Sequence, residues 1–212
     1  MAYLLYIAMD MKSRTYDMRA RQLAKDATRD AIINAAIDTF GAERTFSITL
    51  QAVADRAGVT VKTVLRHFGS RDSLIDAAWQ RLFDEIRAER EPPPDDPTTA
   101  LDVLIEHYER RGTMVLTTLG SEDNDPRARR MNDAGRLGHR AWVEQVFGAR
   151  LPEHPTERAR LIDVLVVATD VYAWKLLRHD RGLSVSGVTD RMLLMTEALL
   201  AAPVRQGPGG QP

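Results

Sequence analysis

The chain has no cysteine, which removes disulfides, thiolate nucleophiles and cysteine-bearing zinc sites. That absence fits a cytoplasmic setting. Long apolar runs are also missing. The opening MAYLLYIAM falls well short of the ~20 apolar residues that cross a bilayer. It also lacks the basic flank and small-residue cleavage site of a signal peptide. We expect residues 1–27 to be an N-terminal extension with a basic arm, irregular over its first nine residues, in which Met9, Met11 and Met18 each offer a later start. Strand signals are absent too, since there is neither a sustained period-two alternation nor an Asn-Gly or Asp-Gly hairpin turn. The net charge of −1 over 212 residues rules out a polycation.

What the chain does have is helical spacing, and the expected class is all-α. Ile33, Ala36, Ile37 and Phe40 follow Thr28, which reads as a helix cap. Leu50, Val53, Ala54 and Ala57 follow Thr49. Val61, Val64, Leu65 and Phe68 follow Thr60, and Val64, Leu65 and Phe68 are expected to face inward. Ser70 caps a longer helix bearing Leu74, Ala77, Ala78, Leu82 and Ile86. The prolines of EPPPDDP (Glu91 to Pro97) end that helix and make a stiff connection. Further helices are expected over 99–119, 126–147, 156–181 and 189–202, with Gly112, Gly120, Gly135, Gly138 and Gly148 interrupting them. The expected organisation is an extension (1–27), a helix-turn-helix domain with its connecting helix (28–90), a proline-rich connection (91–98), a helical domain (99–203) and a disordered tail (204–212).

Two helices in the last domain are apolar on nearly every side, at Leu161 to Leu177 and Met192 to Leu200. An all-round apolar helix must be covered all round. The pair is either a central core or the face on which two copies join by a two-fold axis.

The stretch ADRAGVTVKTVLRHF (Ala54 to Phe68) carries the most specific pattern. Gly58 supplies a left-handed helix end, Val59 plugs the turn, and Thr60 caps the next helix. Lys62, Thr63, Arg66 and His67 then face outward. Two helices joined by a short glycine turn, the second with a basic and hydrogen-bonding outer face, follow the helix-turn-helix plan. Between Arg56 and Arg71 there are four basic residues and no acid, so positive charge is local to this region. A bare helical hairpin with a solvated face would read much the same.

Residues 28–78 resemble the N-terminal domain of the tetracycline-repressor (TetR/AcrR) family of bacterial transcription regulators, through RDAIINAAIDTF, ITLQAVADRAGVTVKTVLRHFGSRDSLIDAA and the junction FGSRD. The resemblance implies a C-terminal ligand-binding and dimerisation domain, repression of a palindromic operator by a homodimer, and release by a small, largely apolar effector. It implies base and phosphate contacts for Thr60, Val61, Lys62 and Thr63, a polar or basic contact for Arg66, and a phosphate contact for His67. Thr49, Ser70 and Arg71 fall at backbone-contacting positions, and Arg29 closes the basic arm with Arg21 and Lys25. Three positions depart from the pattern. Leu65 stands where a tyrosine is frequent, Val61 where a polar residue is common, and Arg44 where a glycine is usual. The implied effector pocket is lined by Tyr108, Met114, Trp142, Phe147, Tyr172 and Trp174, with Arg111, Lys175 or His107 as a charged anchor. For any single one of these, plain core packing is the competing reading.

No catalytic or metal site is expected. His67, His107, His139, His154 and His179 have no metal-ligand spacing, and no nucleophile elbow or phosphate-cradling glycine loop occurs. No cofactor is implied. A DNA-binding dimer without a small-molecule inducer, and an enzyme that merely carries a helical hairpin, remain the alternatives.

Overall fold

A computed structural model describes residues 2–43, 48–93 and 96–202, with side chains from residue 18 onward except Glu43. Arg44 and the expected tail 204–212 lie outside the described residues, as does part of the proline-rich connection. Every regular element among the described residues is helical, and none of those helices is long and apolar enough to cross a membrane. The chain divides into two compact units, Met1–Asp84 and Glu85–Pro212.

The first unit opens with α1 (Ala2–Glu43), followed by α2 (Leu50–Ala57), α3 (Val61–Phe68) and the first turns of α4 (Arg71–Glu89). The irregular extension and the Thr28 cap are both corrected by α1. No glycine or proline occurs before Gly41, so nothing stops the helix. Thr28 sits mid-helix instead, its hydroxyl donating to the Ala24 carbonyl at 2.8 Å. The core gathers Ile32, Ile33, Ala36 and Phe40 of α1 with Val53 and Ala54 of α2, Val64 of α3, and Leu74, Ile75, Ala78 and Leu82 of α4. Each large aliphatic chain buried this way is worth about 1.5–3 kcal/mol. Phe40 meets Trp79 edge-on at 4.7 Å, and Arg81 pairs with Asp30 at 2.7 Å.

The second unit holds the end of α4 and then α5 (Pro97–Gly120), α6 (Pro126–Phe147), α7 (Pro155–Ala168), α8 (Val171–Lys175) and α9 (Val185–Ala201). Proline occupies the first turn of α5, α6 and α7, where its missing N–H costs nothing. Asp96 and Asp125 cap the first two of these. The single helix expected over 156–181 is in fact three pieces. Thr169 closes α7, and the Asp170 carboxylate accepts the Tyr172 N–H at 2.8 Å to start α8. A π-type turn, Leu176–Asp180, follows. Likewise α9 begins at Val185 rather than 189, because Ser184 caps it through the Gly187 N–H. Gly112, Gly135 and Gly138 do not interrupt their helices. At Gly112 the space of the missing side chain is taken by the Trp174 ring. The core of this unit includes Leu101, Leu104, Ile105, Tyr108, Trp142, Val143, Phe147, Leu165, Trp174 and Met192.

Candidate functional site

Local chemistry builds the α2–α3 turn almost completely. Thr49 accepts the Ala52 N–H at 3.1 Å and starts α2. At the other end Gly58 adopts φ 66°, a conformation that costs L-residues with a side chain about 1–2 kcal/mol. Val59 N–H then reaches the Ala54 carbonyl at 3.0 Å and Gly58 N–H reaches Asp55 at 3.3 Å, the paired bonds of a Schellman ending. Thr60 accepts the Thr63 N–H at 3.2 Å and starts α3. After Gly69 turns the chain, Ser70 accepts the Ser73 N–H at 3.1 Å to start α4.

Eight residues of α3 therefore stand against α2 with Val64 fully buried. Lys62 and Arg66 are exposed, and neither has an ion-pair partner among the described residues. Val61 and Thr63 are half-buried, and Thr63 shares a 3.1 Å hydroxyl contact with Thr60. Leu65 is 40% exposed, which corrects its expected inward direction. It lies three residues from Lys62 and one from Arg66, so it belongs to the same outer face.

Positive charge continues off α3 onto α1. The Arg29 guanidinium lies 5.1 Å from the centroid of the Phe68 ring. The His67 imidazole is held below its usual pKa, first by burial and then by the nearby charges of Arg66, Lys25 and Arg29. Its Nδ1 is buried without a partner. Arg71 is partly committed to structure, its Nε donating to the Ile48 carbonyl at 2.7 Å. Of the ten residues assigned to nucleic acid from sequence, the structure thus brings Thr60, Val61, Lys62, Thr63, Arg66, His67 and Arg29 into one neighbourhood. Thr49, Ser70 and Arg71 sit at the flanking helix starts.

Of the aromatic and Met residues assigned to an effector, Tyr108, Trp142, Phe147 and Trp174 fall into one core, and Met114 and Tyr172 lie outside it. Tyr108 donates to the Thr169 carbonyl at 3.0 Å, and Trp142 Nε1 donates to the Arg90 carbonyl at 3.1 Å. Phe147 meets Trp142 edge-on at 6.4 Å, and Trp174 Nε1 donates to Glu109 at 2.8 Å. Met114 is half-buried. Tyr172 is 52% exposed and does not join them, because α8 turns its neighbours Val171 and Trp174 inward and Tyr172 away.

His107 and Arg111 both hold Glu89, at the last turn of α4. Arg111 makes a forked pair with bonds of 2.6 and 2.9 Å, and His107 Nδ1 lies 3.2 Å from the same carboxylate. The Arg111 bonds pull Glu89 down to about 2. Burial, reinforced by the positive charge of Arg90, pushes His107 down to about 4. Burial and Arg90 likewise push His139 down to about 3. Sequence reasoning missed Glu89, Arg90, His139 and Thr169. They come from three distant segments, and no spacing in the sequence marks them as a group.

A model of the family described as bacterial regulatory proteins, tetR family, matches residues 32–78, the span that carries α2 and α3. The HTH-type transcriptional regulatory protein RaaS of Mycobacterium tuberculosis is 30% identical over 134 residues, or 62% of this chain. The match spans 57% of that relative's length. The HTH-type transcriptional repressor KstR of Rhodococcus jostii is 26% identical over 73% of this chain and 74% of its own. Among solved structures, a transcriptional regulator from Rhodococcus sp. Rha1 is similar in fold, with a TM-score of 0.62 at 17% identity, covering 81% of this chain and 95% of that one.

Proposed function

The chain belongs to the TetR family of bacterial regulatory proteins, and from that premise we propose that it is a transcriptional repressor that binds a palindromic operator as a homodimer and is released by a small effector. The observation that carries this reading is the outer face of α3, where Lys62 and Arg66 stand exposed beside Leu65 with no ion-pair partner among the described residues. A helix of this size fits the major groove with its first residues toward base edges. Arg66 suits guanine O6 and N7 or a phosphate, and Lys62 suits a phosphate. The ends of α2 and α4, with Thr49, Ser70 and Arg71, fix the register on the backbone. Leu65 and Val61 supply apolar contact where a thymine methyl would lie.

Two copies join through the last helices of the second unit. Val167 and Leu194 there are 69% and 66% exposed, and Val164 is exposed beside them. Apolar side chains left in water on helices of this kind suit a second copy. Joined this way, two α3 helices read half-sites about 34–36 Å apart, one turn of DNA. An effector held in the second unit favours a different spacing and shifts the population off DNA. The protein works where the chromosome is, in the cytoplasm, and no catalytic step is involved.

The test is a mobility-shift titration on DNA flanking the protein's own gene, run beside the Lys62→Ala/Arg66→Ala variant. Specific binding lost in the variant, with size-exclusion light scattering giving a dimer, supports the reading. A folded dimer with neither specific nor non-specific affinity for DNA would overturn it.

A further inference from the structure

Arg90 follows α4 directly, and the groups its guanidinium touches are neutral, while the charge of Asp170 acts on it from beyond ion-pair distance. Nη2 donates to His139 Nδ1 at 2.8 Å, the guanidinium carbon lies 5.6 Å from the Trp142 ring centroid, and Nε is buried with no acceptor. No carboxylate among the described residues forms an ion pair with it. The acids of this region are engaged elsewhere, Glu89 by Arg111 and His107, and Asp170 by the Tyr172 N–H.

His139 offers no negative charge in compensation. Arginine only donates, so His139 Nδ1 is the acceptor and the ring proton sits on Nε2. Nε2 faces Thr169 Oγ1 at 3.1 Å, and that hydroxyl in turn donates to the Leu165 carbonyl at 2.8 Å. The residue is also held at its backbone, where its carbonyl accepts from Trp142. A fixed and largely enclosed cation with no carboxylate in direct contact among the described residues is costly. A buried donor left without an acceptor calls for a missing partner.

We infer that Arg90 anchors a small organic carboxylate with an apolar body. The Nε edge, which lacks an acceptor among the described residues, suits the forked geometry in which guanidinium takes a carboxylate, and the neighbouring side chains Tyr108 and Trp142 are aromatic. The inference names the chemical class of the proposed effector and rests on that reading for its consequence on DNA. Binding itself does not depend on it.

Calorimetric titration of the whole protein with octanoate and benzoate, and with octanamide and benzamide, tests the site. At least one carboxylate is expected to bind ten-fold or more tightly than its amide. Arg90→Gln keeps N–H donors without charge and reduces that preference below two-fold, whereas Arg90→Lys retains it. Should Arg90→Gln fail to fold, the His139 ring nitrogen signals of the unaltered protein replace it, shifting with the carboxylate and staying fixed with the amide. Equal binding of acid and amide, a preference that survives in Arg90→Gln, binding of inorganic phosphate alone, or no binding across the set would each overturn the assignment. Mobility shifts with the same compounds separate the two readings. A carboxylate that binds without releasing DNA keeps the site and removes the effector role, and release by an amide alone does the reverse.

Discussion

The two units place their cations in opposite ways. In the first, Lys62 and Arg66 project from a short, well-capped helix with no ion-pair partner among the described residues, and the burial beneath them is mostly apolar. In the second, Arg111, Arg136 and Arg140 are tied to Glu89, Glu122 and Asp163, and Arg90 is drawn inward against His139. Exposed unpaired charge acts at a distance and is screened by salt. Charge that is enclosed or paired is specific and costly to disturb. The contrast separates a surface suited to a polyanion from an interior suited to one small partner.

Replacing Trp174 by alanine attacks the second unit most strongly. Its ring fills the space beside Gly112 and its Nε1 holds Glu109, so the variant should lose about 3–5 kcal/mol. Urea denaturation checks this, and the wild-type affinity of α3 for DNA should persist wherever the variant stays folded. Acid is next. His107 and His139 sit near 4 and 3, below their ordinary 6.5, so an unfolded chain takes up protons the folded one refuses. Stability is therefore full above about pH 6.5 and falls as pH drops toward 4, by up to about 1.4 kcal/mol per pH unit for each histidine. Glu89, near 2, adds its own loss only below about pH 4.5. Urea midpoints at pH 7 and pH 5, in wild type and His107→Gln, measure the slope, which should be shallower in the variant. On the first unit the effects are smaller. Gly58→Ala keeps open space around its new Cβ but must hold φ 66°, for a loss of about 1–2 kcal/mol in a thermal melt. Thr60→Ala removes the cap of α3 and should cost about 1 kcal/mol.

What was legible in the sequence follows the same division. The turn of α2 and α3 is encoded by neighbours in the chain: Thr49, Gly58, Thr60 and Ser70 each do their work within three or four residues. Leu65 was misread because periodicity finds the apolar stripe of a helix but not the width that other elements cover. The length of α1 was missed because Thr28 resembles a cap, and only the unbroken helix formers before it reveal that it is not one. The break at Asp170 escaped notice because a carboxylate inside an apolar run reads equally as a surface position. Arg90, His139 and Thr169 meet across 79 positions of chain (Arg90 to Thr169), and their grouping exists only once the second unit has folded.

The exposed face of α3 is the centre of this account, and the salt dependence of DNA binding measures it directly. Fluorescence anisotropy on a labelled operator duplex, across a range of salt, gives the number of phosphates neutralised. Lys62→Ala/Arg66→Ala removes two cations per subunit and four per dimer. If all four meet phosphate, the slope of log affinity against log salt should become shallower by roughly 3.6, with the denaturation midpoint unchanged. An unaltered slope in a folded dimeric variant would contradict the assignment of α3 as the DNA-reading helix.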